Sequence, residues 1–76
     1  MSKAKENKGR PGAAFLDAAK LRCRSQIREA EAKIELYLDS PQGVAEHPQI
    51  LQEILKAALE GAEAEDRLNF LEERWL

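Results

Sequence analysis

The sequence is poor in the residues that carry most enzyme chemistry. It has one histidine, His47, and one cysteine, Cys23, in 76 residues. One cysteine excludes a disulfide within the chain, and a lone thiol suits a reducing compartment or a buried apolar position. A metal site needs several His or Cys ligands at fixed spacings, and one of each does not supply them. Glu46 beside His47 forms a carboxylate–imidazole pair of the kind used in acid–base work. No second histidine and no nucleophile accompanies it, so no catalytic, cofactor or metal site is expected. Long apolar runs are also missing, which excludes a membrane-spanning helix. The polar start, MSKAKENKGRPG, has no signal-peptide core. The expected location is the cytoplasm. Proline and glycine are sparse too, and β-branched residues are few, which leaves little room for sheet.

What remains is helical in composition. Residues 1–12 are Lys-rich, contain Gly9, Pro11 and Gly12 and have no apolar stripe, so they read as a flexible basic arm. From Ala13 to Asp39, Ala, Leu, Glu, Lys and Arg dominate. Pro41 stops that helix, and the stretch SPQGVAEHPQ turns the chain. A corner is expected over 40–47 and a second helix over 48–76, with Pro48 in its first turn. Val44 is placed over the hairpin end, against Tyr37 or Leu51. His47 is not a preferred capping residue, so whether it has a task beyond starting the helix stays open.

Two apolar seams define how these helices meet. In the second helix Ile50, Ile54, Ala57, Gly61, Ala64, Leu68, Leu71 and Trp75 recur in steps of four and three. In the first, Leu16, Lys20, Cys23, Ile27, Ala30, Ile34 and Tyr37 do the same. Lys20 alone breaks the stripe, and its stem can lie on apolar surface with the amine in water. Such seams predict an all-α, coiled-coil-like antiparallel hairpin. A constant residue sum of about 87 to 88 aligns them. It pairs Ala30 with Ala57, Ile27 with Gly61, and Trp75 with Ala13.

Charge is segregated although the net is only −2. Residues 1–28 carry a net of +6, and residues 29–76 a net of −8. Under the same register Arg24 falls beside Glu63, Arg28 beside Glu60 and Lys20 beside Glu65. Much of the asymmetry is therefore internal complementation, and the arm is left without an acidic counterpart.

Apolar residues remain outside the seams. Leu51, Leu55, Ala58 and Ala62 form a stripe beside the second seam, with Leu59 near them. Phe15, Leu21, Leu36, Leu38, Phe70 and Leu76 are further leftovers. Ordinary exposed apolar surface is one explanation. Their number favours burial against a second copy, as in a four-helix bundle, or in another protein's groove. The stripe is the candidate partner interface. The arm offers a different signal, because KGRPG contains the Gly-Arg-Pro sequence of short minor-groove hooks. Lys3, Lys5, Lys8 and Arg10 are the candidate nucleic-acid contacts, against the plainer explanation of a solubilising arm. The basic stretch LRCRSQIR has no aromatic residue on which bases would stack.

The segment YLDSPQGVAEHPQILQEIL, followed by EAEDRLNFLEERW, resembles short helical proteins, of no assigned activity, from large tailed phages of cyanobacteria. The resemblance covers residues 34–75 and leaves the arm and most of the first helix aside. It implies a phage origin and brings no activity with it. The expected function is a non-enzymatic interaction or assembly module that self-associates or docks on a larger phage or host protein, in the host cytoplasm or on the virion. The alternative is a small nucleic-acid-binding protein acting through its arm.

Overall fold

The structure, a computed structural model, describes residues 4–39 and 49–76. The chain is an all-α antiparallel hairpin of two helices, α1 (Ala13–Asp39) and α2 (Ile50–Arg74). The turn residues singled out above, Pro41, Val44, Glu46, His47 and Pro48, lie outside the described residues, as does Lys3. Glycine and an arm carbonyl start α1. Gly12 O accepts from the N–H of Phe15 (3.1 Å) and Leu16 (3.3 Å), and Arg10 O from that of Ala13 (3.1 Å). The first turn of α1 has no acid and its last turn no base, so its dipole is uncompensated and packing must hold it. In α2, Glu53 in the first turn and Arg74 in the last both oppose the dipole.

α2 stops at Arg74 rather than running on to Leu76. Trp75 leaves helical space (φ −136°, ψ 130°) because its backbone is drawn into a parallel bridge with Lys5. The start also differs, since Gln49 forms a turn and helical hydrogen bonding opens with Glu53 N to Gln49 O (3.0 Å).

All fifteen seam residues are buried or half-buried, and the remaining helical positions are exposed apart from Ala13 and Gln26. The buried apolar set among the described residues is short, Cys23, Ala30, Ala57 and Ala64, with Ile50 its one large side chain. The helices approach closely where small residues meet. A Cβ built on Gly61 would sit 2.9 Å from Ala30 Cβ, closer than two methyl-sized groups tolerate.

That contact corrects the register. Ala30 faces Gly61, not Ala57, so the seam pairs at a sum near 91, one seam step beyond 87 to 88. Sliding one seam by a single step keeps apolar against apolar, so periodicity alone does not choose. Seating the two smallest groups face to face does, because it lets the backbones close. The ion pairs move with it. Lys33 meets Glu60 (3.4 Å), Arg24 meets Glu72, and Arg28 reaches Glu31 on its own helix (4.0 Å). The expected Arg24–Glu63, Arg28–Glu60 and Lys20–Glu65 pairs do not form. Each exposed pair is worth about 0–1 kcal/mol, too little to override packing.

The arm is a second correction. Residues 4–12 are tied to the end of α2 instead of hanging free. Lys5 N–H donates to Arg74 O (2.7 Å), and Leu76 N–H donates to Lys5 O (2.8 Å). Asn7, only 6% exposed, donates through Nδ2 to Leu76 O. Gly9 then turns with φ +89°, a conformation other residues rarely adopt. Arg10 N–H closes that turn on Asn7 O (3.0 Å).

Candidate interaction surface

The hairpin is long and thin, 53 × 25 × 15 Å. Its radius of gyration is 16.8 Å, where a compact 76-residue domain would have about 11 Å. Accessible surface is 6284 Å², against about 4,700 Å² for a compact monomer of this mass. Two helices cannot enclose each other, so much apolar surface stays outside.

Among the described residues nine large apolar side chains are more than half exposed, from Phe70 at 51% to Phe15 at 82%. The two leucines of the stripe named from the sequence are among them. Leu51 is 65% and Leu55 60% exposed, and Ala58 and Ala62 are also exposed. At 100° per residue these four share an arc of about 60°, turned about 120° from the seam of α2. They therefore form one flat outward face and not scattered singles. No polar group interrupts this arc between Leu51 and Ala62.

A second apolar feature lies in the flank between the helices near their open end. It is a groove of about 830 Å³ lined by Phe15, Ala18, Ala19, Cys23, Phe70 and Leu71, with Arg22, Asp66 and Arg67 among its polar lining. Phe70 leans on Trp75 (6.4 Å between centroids, tilted 49°), and the Arg74 guanidinium stacks 3.8 Å over the Phe70 ring. Sequence reasoning had both phenylalanines as unplaced leftovers. Bringing them to one groove requires the register, which the seams alone left ambiguous. Farther along the same flank the lining turns polar, with Glu29, Lys33, Glu60, Glu63 and Arg67.

Lys20 is the chemically unusual residue of the seam. It is 9% exposed, and its amine donates to Trp75 O at 2.8 Å rather than reaching water. A buried ammonium must be paired, and the carbonyl-rich end of a helix is the favoured place for a cation. The result is a cross-link between α1 and the extended tail of α2.

Of the arm's basic residues, Lys5, Lys8 and Arg10 are exposed side chains, while the Lys5 backbone is engaged with residues 74 and 76. No group of three or more His, Cys, Asp or Glu among the described residues could hold a metal ion. No described helix is long and apolar enough to cross a membrane. Comparison with protein-family models, with curated proteins and with solved structures found no match to this chain.

Proposed function

We infer that this protein is a non-enzymatic interaction module whose working part is the outer face of α2, Leu51, Leu55, Ala58 and Ala62. One observation carries it: among the described residues nine large apolar side chains are more than half exposed, as many as the two seams bury or half-bury. A face of contiguous Leu and Ala on a rigid helix is the form in which helical proteins present a hydrophobic contact. The resemblance of residues 34–75 to short cyanophage proteins supports a setting in virion assembly or in binding a host protein.

The test is native size in a cell extract containing the tagged full chain. The intact chain should run as a larger species, and Leu51→Asp with Leu55→Asp should release the free hairpin at unchanged helix content. Identical elution of both forms as a free hairpin would refute the assignment. The second reading, nucleic-acid binding through Lys5, Lys8 and Arg10, rests on three exposed basic side chains at one tip. It predicts affinity for duplex DNA that falls steeply with salt and disappears in the triple alanine variant.

A further inference from the structure

The outer face of α2 has an order as well as a composition. Two large residues, Leu51 and Leu55, are followed by two small ones, Ala58 and Ala62, all exposed. A helix laid antiparallel on an identical copy pairs residues of constant sum. At a sum of 113 this face pairs Leu51 with Ala62 and Leu55 with Ala58, so each large side chain meets a small one throughout. Laid parallel, Leu meets Leu and Ala meets Ala, which holds the helices apart at one end and leaves a gap at the other.

Charge along α2 selects the same arrangement. Residues 50–59 are neutral, with Glu53 and Lys56, whereas residues 60–74 carry six acids and two bases, net −4. A parallel pair sets −4 beside −4. An antiparallel pair at a sum of 113 overlaps residues 50–63 of the two helices and carries residues 64–74 of each copy past the start of the other's α2, so the two acidic halves point apart. Size and charge are independent features of the sequence, and both disfavour the parallel form.

We propose that the occupant of this face is a second copy of the chain, docked α2 to α2 about a two-fold axis with Leu55 on the partner's Ala58 and Leu51 on the partner's Ala62. This rests on the reading of that face as the working surface and names what covers it. The contact is isologous, so it closes at two chains. It joins two hairpins into a four-helix assembly whose α2 helices are central.

The experiment is disulfide trapping with the full chain in a Cys23→Ala background, together with absolute mass by light scattering. Mixing Leu51→Cys with Ala62→Cys should give a linked dimer under mild oxidation. Leu51→Cys alone should not link. In the antiparallel pair its two copies are eleven residues apart along the axis, roughly 16 Å, beyond the Cα separation a disulfide spans. Ala58→Leu should weaken association at least tenfold, and adding Leu55→Ala should restore it by exchanging large for small in the same pair. Efficient linking of Leu51→Cys to itself would overturn the antiparallel arrangement. Monomeric mass at roughly 100 µM would overturn the second copy as occupant, and the Leu51/Leu55 aspartate variants in extract would then show whether the face serves a different protein. A two-chain mass that survives Leu55→Asp would overturn both this proposal and the choice of surface.

Discussion

The two ends of the hairpin are built on different principles. At the open end, polar groups do the joining. Lys20 holds Trp75 O, Asn7 holds Leu76 O, and Lys5 pairs on either side of Trp75. At the other end, α1 finishes and α2 begins with leucines in the open: Leu36, Leu38, Leu51 and Leu55 are each at least 60% exposed. The first end is tied by its own chain around Trp75, although Phe15 and Phe70 stay exposed in the groove beside it, and the second carries leucines that no described residue covers. A short protein can spend its polar side chains on locking itself and leave its apolar ones for others. The division also explains why the core is so thin without the fold being loose.

The strongest challenge to this contrast is Trp75→Ala. Trp75 is half-buried and sits where α2, the arm and Lys20 converge. Its loss should cost about 2–3 kcal/mol in urea unfolding, whereas Leu38→Ala, at an exposed site of the other end, should stay within about 0.5 kcal/mol. Equal costs would abolish the distinction. As the only tryptophan, Trp75 also reports by fluorescence whether the open end melts with the rest.

Lys20→Met keeps the stem and removes the amine. Trp75 O then loses its donor in a partly buried place, and stability should fall by about 1–2 kcal/mol. A gain in stability would mean that burying the ammonium costs more than its contact returns. Gly61→Ala tests the close approach midway between the two ends. Helix propensity favours alanine by about 1 kcal/mol, but its methyl would lie 2.9 Å from Ala30 Cβ. Overpacking of about 1–3 kcal/mol should win, giving a net loss of about 1 kcal/mol by thermal melting. Adding Ala30→Gly should relieve the clash, a non-additive result that the register of 87 to 88 does not predict. The smallest effect belongs to Arg24→Gln. Its pair with Glu72 is about half exposed, and unfolding free energy should change by less than about 1 kcal/mol, shrinking further in high salt.

The seams were fully legible in the sequence because hydrophobic periodicity is read within each helix. Leu16 to Tyr37 and Ile50 to Trp75 are the residues that face inward. Their pairing was not legible, because a seam that repeats in steps of four and three accepts a slip of one step. The deciding contacts, Ala30 on Gly61 and Lys20 on Trp75 O, link residues 31 and 55 apart in sequence. The docked arm was hidden for a different reason. It is held by backbone pairing and one asparagine amide, neither of which leaves a pattern of apolar residues. The outer stripe was visible as composition, and its large-to-small order acquires meaning only once α2 is known to present that face to the outside.

The parallel pairing of Lys5 with Trp75 has a mechanical consequence. In that bridge the chain enters at residue 4 and leaves at residue 76 while both segments run the same way. Tension applied between the two ends therefore slides the segments past each other, and the hydrogen bonds from Lys5, Leu76 and Asn7 carry the load together. Behind that latch the helices lie in a geometry that unzips one turn at a time under little force. Stretched from its ends, this hairpin should hold up to a single yield point set by the arm and then open without further resistance.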